Sequence, residues 1–131
     1  MAPNIFYSAH AAKWMRDNLE TLGDDPIKDV LHLPGSHDAG MWTSSSVTYA
    51  ASPRQTLTQV VSIYDQLRLG IRWFDIRPMY HLDNWYCGHF TRAGPFKWQG
   101  GTGQSIDDVI KDVTQFMKEH QELVVLRIRN W

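Results

Sequence analysis

One cysteine, Cys87, occurs in the whole chain. No intramolecular disulfide can form, and neither a thiolate zinc cluster nor a disulfide framework is available, so a reducing compartment is compatible. Charge of one sign is also missing. Lys and Arg number 13 against 14 Asp and Glu, and this balance provides no field to recruit nucleic acid. Long hydrophobic runs are absent: the longest aliphatic stretch, Leu123 to Leu126, falls far below the roughly 20 residues that span a bilayer. Met1 to Lys13 lacks the basic start and unbroken apolar stretch of a secretory signal, so the expected location is cytoplasmic and any membrane contact peripheral. Length itself is short. The 131 residues suit one ordinary domain but not a closed eight-unit α/β barrel of about 250 residues.

The chain has no internal repeat. Ala9 to Leu19 has helix-forming composition, with Trp14 and Met15 available for packing, and Gly23 to Pro26 reads as a turn. Val30 to Leu33 reads as a short buried strand stopped by Pro34-Gly35. The Thr/Ser-rich stretch from Thr43 to Ser52 reads as a long polar loop. Leu57, Val60, Val61, Tyr64 and Leu67 follow at offsets of three and four and predict one apolar helical face ending at Gly70. Strands are expected at Ile71 to Ile76 and Trp85 to His89, then a Gly-rich loop from Gly94 to Gly103. The clearest helix begins at Ser105, which with Asp108 forms a capping pattern; Ile106, Val109, Ile110, Val113, Phe116 and Met117 keep helical spacing behind it. Glu122 to Ile128 closes the series as a β-branched strand. Aliphatic strands mixed with amphipathic helices predict an α/β architecture with mostly parallel pairing.

In such folds, reactive groups gather where strands end. His37 and Asp38 follow the first expected strand, Asp75 and Arg77 close the second, His89 the third and Arg129 the fourth. If these strands are parallel neighbours, all six residues crowd one rim. Two imidazoles, two carboxylates and two guanidiniums suit a phosphodiester. One imidazole takes a proton, the other gives one, and arginine neutralises charge developing on the phosphorus oxygens. The plainer readings stand beside this one. His10, His32, His81 and His120 are assigned to surface or structural roles, with His120 placed at a helix end that favours a cation. Asp75 reads plainly as an ion-pair partner of Arg72 or Arg77, and Cys87 as a small core hydrophobe. Trp42, Trp73, Trp85, Trp98 and Tyr86 are expected mostly in the core, the remainder on a lipid-facing rim. A divalent metal held by His37, Asp38, Asp75 and His89 is the sharper competitor, and the fixed charge of Arg77 weighs against it.

Three blocks taken together resemble a known family. They are Leu33-Pro34-Gly35-Ser36-His37-Asp38-Ala39-Gly40-Met41, the run from Gln66 to Pro78 that contains Arg72-Trp73-Phe74-Asp75-Ile76-Arg77, and Gly88-His89. In order and spacing they resemble the X region of phosphatidylinositol-specific phospholipases C, closest in flavour to the fungal and bacterial phospholipase C-like phosphodiesterases, whose Gly-Gln-Ser-Ile segment is matched by Gly103 to Ile106. The resemblance runs from about Trp14 to Ile128. It implies that residues 1–131 are the amino-terminal part of a catalytic domain, a half TIM-type β/α barrel of the phospholipase C-like phosphodiesterase fold. His37 would then be the general base toward the inositol 2-hydroxyl and His89 the general acid toward the departing diacylglycerol oxygen, with a cyclic inositol phosphate as first product. Arg77 would bind phosphate in place of the calcium ion used by animal enzymes, so no cofactor is expected. Asp38 would assist the leaving-group acid, Asp75 would support the site, and Arg129 would contact substrate.

The family barrel is roughly twice this length. The carboxylate that orients the first histidine falls in its second half, and no position here matches it. The expected partners are a phospholipid head group and, through the open barrel edge, a second chain. An inactive half-domain that binds phosphate or a partner is the alternative from another class.

Overall fold

The computed structural model describes residues 8–22 and 32–129. The expected turn at Gly23 to Pro26 and the start of the strand expected at Val30 lie outside them. Ala11–Lys13 forms a 3-10 turn, followed by the short helices α1 (Trp14–Asp17) and α2 (Leu19–Leu22), so the single helix read over Ala9 to Leu19 is broken into three pieces. Asn18 ends α1, its side-chain amide donating to Trp14 O at 2.6 Å.

Two sheets follow. A three-stranded parallel sheet has the order β1 (Gly35–Ser36), β3 (Trp73–Ile76), β7 (Val125–Ile128). A four-stranded antiparallel sheet joins β2 (Ser46–Val47), β6 (Trp98–Ser105), β5 (Asn84–Arg92) and β4 (Pro78–His81) in that order. Parallel pairing therefore holds only for the first sheet. The strand bearing His89 is longer than its expected span and antiparallel to both neighbours. The supposed Gly-rich loop is mostly β6. Its glycines are required by close approach rather than by flexibility: a β-carbon at Gly100 would collide with His89 O, and one at Gly103 with Gly40 O.

The expected polar loop contains β2 and is followed by helix α3 (Pro53–Thr56), and α4 (Ile63–Arg68) is the part of the predicted 57–70 helix that forms. Ser62 stops α4 from extending backwards: its hydroxyl accepts from Asp65 N at 3.1 Å, an N-cap that satisfies one orphan amide. Leu57 and Val60 are left outside it, exposed. Helix α5 (Ile106–His120) is capped as expected, Ser105 Oγ accepting from Asp108 N at 3.1 Å. It buries Val109, Val113 and Phe116 but leaves Ile110 and Met117 exposed. His120 is its last residue, and Gln121 in the left-handed region ends it.

The core gathers Ala39, Met41, Ile63, Leu67, Phe74, Ile76, Cys87, Val109 and Phe116 between the parallel sheet, α4 and α5. Cys87 is the buried small hydrophobe expected of it. Trp42, Trp85 and Trp98, expected mostly inside, are exposed, and Tyr80 stacks on Trp85 outside the core. A buried ion pair anchors the amino-terminal turns to this framework. Arg72 Nη2 meets Glu122 Oε2 at 2.8 Å with both side chains wholly buried. The remaining donors of Arg72 reach carbonyls of Ala11, Ala12, Leu67 and Ile71. Glu122 accepts from the amides of Met15 and Arg16. Such full satisfaction is what makes a buried pair tolerable. Arg72 is thus committed to Glu122 and not to Asp75.

Candidate active site

The turn that follows β1 carries His37 and Asp38 and is fixed from below. Ala39 N donates to Asp75 O at 3.0 Å, which seats the turn on β3, and the buried amide of Gln66 donates to Ala39 O at 2.9 Å. Asp38 has φ of 46°, a left-handed conformation that aspartate tolerates better than most residues. Gly40 follows because Cys87 stands directly against it, leaving no room for a β-carbon.

Five of the six residues read from sequence meet here. His37 Nδ1 lies 2.9 Å from Asp75 Oδ2. Its Nε2 lies 3.2 Å from Arg77 Nη2 and 3.3 Å from Asp38 Oδ2. Arg77 Nε reaches Asp38 Oδ1 at 2.9 Å, and Arg129 Nε reaches Asp75 Oδ1 at 2.9 Å. Both carboxylates are about 1% exposed, whereas the His37 side chain is 65% exposed. Buried acids thus support an accessible imidazole.

The arrangement has a definite proton logic. A carboxylate only accepts, so with Asp75 Oδ2 beside Nδ1 the neutral ring would carry its proton there and leave Nε2 as a base. That atom has a partner in either protonation state, Arg77 as donor to the neutral ring and Asp38 as acceptor from the charged one. Burial pushes the Asp75 carboxyl up, but the hydrogen bond from Arg129 and the charges of Arg129, Arg77 and His37 outweigh it and hold the group below its ordinary value. The Asp38 oxygens meet their ion-pair partners without well-aligned hydrogen bonds.

Asp75 therefore places a carboxylate against the ring of His37, where the sequence offered no residue. Its pairing with Arg77, expected as an alternative, is also present at 3.4 Å. His37, Asp38 and Asp75 bring ligand atoms within 4.8 Å of one another, the spacing of a cation site. Arg77 and Arg129 already lie against both carboxylates, so the fixed charges stand where a divalent ion would bind, and the group fits a metal poorly.

His89 is the exception. Its strand is antiparallel, and the ring does not join the cluster in the way a parallel neighbour would. His89 Nδ1 faces Thr56 O at 3.2 Å, and the ring lines a cavity of about 300 Å³ with Ala50, Ala51, Gln55, Thr91 and Gln99. The two strands are nonetheless joined by their backbones, Gly88 N donating to Arg77 O at 2.9 Å. A carbonyl only accepts, so His89 too carries its neutral-state proton on Nδ1. Thr56, Thr58 and Gln59, which touch both histidine-bearing segments, had no signal in sequence.

No family model matches the chain. Among curated proteins, a PI-PLC X-box domain-containing protein of Dictyostelium discoideum is 28% identical over 127 residues, covering 87% of this chain and 16% of its own length. A 1-phosphatidylinositol phosphodiesterase of Listeria monocytogenes is 28% identical over 124 residues, covering 94% of this chain and 34% of its own. A phosphatidylinositol-specific phospholipase C of Staphylococcus aureus superposes with a TM-score of 0.65 at 22% identity, over 92% of this chain and 35% of that one. The chain spans about a third or less of these relatives. It is similar to PI-PLC X-domain proteins over most of its length, and its fold is part of their β/α barrel. No described helix is long and apolar enough to cross a membrane.

Proposed function

We propose that this chain, as the amino-terminal part of a PI-PLC X-type domain, cleaves phosphodiesters of phosphatidylinositol-like lipids by acid–base catalysis between His37 and His89. The observation that carries the reading is the different partner of each ring. His37 leans on the carboxylate of Asp75 at Nδ1, which orients the ring with Nε2 as the atom to take a proton. His89 leans on a neutral carbonyl, Thr56 O at Nδ1, which leaves Nε2 as the ring atom to donate to the leaving group.

The reaction follows from these roles. His37 Nε2 takes the proton of the inositol 2-hydroxyl as its oxygen attacks phosphorus. The bond from phosphorus to the diacylglycerol oxygen breaks, and that oxygen takes the proton of His89. Charge on the phosphoryl oxygens is met by Arg77, which turns from His37 toward the phosphate and frees the lone pair it covers. Asp38 holds Arg77 from behind, while Asp75 and Arg129 hold one another, and the partly exposed Arg129 is the residue assigned to the head group.

The chemistry so described uses no metal or organic cofactor, and the supporting observation is that guanidiniums already balance both carboxylates. The test is release of cyclic inositol phosphate from phosphatidylinositol vesicles with and without a chelator. Turnover is expected to survive chelation and to fall at least 100-fold in His37→Ala, the lower end for loss of a general base. A wild-type rate in His37→Ala would end the proposal, and loss of turnover on chelation would restore the metal reading.

A further inference from the structure

Residues 57–62 carry apolar side chains at helical offsets yet form no helix, and Leu57 and Val60 point outward. Polar contacts instead of burial set the path of this segment, and those contacts converge on the two halves of the site. Thr58 Oγ1 donates to Asp38 O at 2.9 Å, and Gln59 Nε2 donates to His37 O at 2.8 Å. The amides of Thr58 and Gln59 both reach Met41 O, at 3.0 and 3.3 Å. Two residues earlier, Thr56 O takes the Nδ1 proton of His89. Thr56 is itself 2% exposed and anchored by its hydroxyl to Pro53 O at 2.9 Å.

We propose that residues 56–59 form a strap that positions both imidazoles at once, with Thr58 and Gln59 as positioning residues for the reaction proposed above. Within these four residues, Thr58 and Gln59 bond to the main chain of Asp38 and His37 at one end and Thr56 to the ring of His89 at the other. The parallel sheet carries one histidine and the antiparallel sheet the other, and the strap ties the two together on the side of the rings. The left-handed turn at Asp38 gives the strap a second task, since the Thr58 hydroxyl accompanies Met41 N in holding the Asp38 carbonyl where that conformation places it. Loosening the strap moves the His37 turn and the Thr56 carbonyl together, and it disturbs chemistry more than substrate affinity because neither Thr58 nor Gln59 contributes a charge to the phosphate.

The inference rests on the phosphodiesterase reading for its kinetic arm only. The test compares wild type with Thr58→Val/Gln59→Met, which keeps size and removes both donors, and with Thr58→Ser, which retains the hydroxyl. Ring ¹⁵N spectra read the tautomers directly. Wild-type His89 should show the Nδ1–H form. The double variant, if folded by circular dichroism, should lose that preference toward the Nε2–H form favoured by a free histidine side chain and shift the His37 ring signals. Its kcat should fall at least tenfold with KM within twofold of wild type, and Thr58→Ser should restore both. Gln59→Met alone, at an accessible side chain, is the second variant should the double one not fold. Unchanged ring signals in a folded variant overturn the strap. A wild-type chain without turnover but with the same ring response keeps the strap and removes the phosphodiesterase reading.

Discussion

Asp75 Oδ2 stands 2.9 Å from His37 Nδ1, while its Oδ1 stands 2.9 Å from Arg129 Nε. One buried carboxylate thus orients the exposed imidazole and is itself held by a guanidinium from the end of β7. The pairing joins β1, β3 and β7 through their side chains as well as their ladder.

Asp75→Asn tests this pairing. An amide accepts or donates, so it no longer fixes the tautomer of His37 and no longer stabilises the charged ring. The expected result is a fall in kcat of roughly 10²- to 10⁴-fold with the fold retained. Steady-state kinetics beside circular dichroism would check it, and a loss under threefold would reduce Asp75 to a structural ion-pair partner.

The same carboxylate makes stability acid-sensitive. Its folded pKa is held below the ordinary value, chiefly by Arg129 against the opposing effect of burial. The unfolded chain therefore binds the proton first as pH falls. The contribution is complete above an unfolded value of about 3.9 and disappears as pH drops through the lower folded value. Urea midpoints for wild type and Asp75→Asn, measured from pH 7 downward, should stay parallel above pH 5 and draw together as pH falls below the unfolded value of about 3.9.

Glu122→Ala should destabilise strongly. It strands the buried Arg72 guanidinium and orphans the amides of Met15 and Arg16. The expected loss is about 3–5 kcal/mol by urea unfolding, the usual cost of breaking one side of a buried pair. A loss below 1 kcal/mol would mean that water reaches Arg72.

Cys87 should be inert while the protein is folded. Burial, then the nearby negative charge of Asp38, pushes its thiol up to about 12, and the thiolate is the reactive form. A disulfide reagent at pH 8 should label it only at the rate of unfolding. Gly40→Ala forces a methyl against its sulfur, and the expected destabilisation of about 1–3 kcal/mol should speed that labelling.

The site was legible where it follows the ends of parallel strands. His37 and Asp38, Asp75 and Arg77, and Arg129 come together because β1, β3 and β7 are parallel neighbours, so position along the chain translates into position on one rim. His89 did not translate, since β5 belongs to an antiparallel sheet whose partner β6 was concealed by glycine. At Gly100, Gly101 and Gly103 the residue marks backbone pressed against backbone, a requirement that composition cannot separate from a loop. Asp75 was expected to support the site, but its contact with the ring of His37 was not, because the resemblance assigned that contact to the second half of the barrel. Thr58 and Gln59 act through main-chain carbonyls, and such contacts leave no spacing in a sequence.

The most direct measurement of the account separates the two histidines by leaving group. Inositol phosphodiesters with an alkyl alcohol and with a nitrophenol as leaving group would be given to wild type, His37→Ala and His89→Ala. A nitrophenolate departs without a proton, so His89→Ala should regain most of the wild-type rate on that substrate and remain slow on the alkyl ester, while His37→Ala should fail on both. Equal losses for His89→Ala on the two substrates would contradict its role as general acid, and with it the division of labour between a carboxylate-backed base and a carbonyl-backed acid.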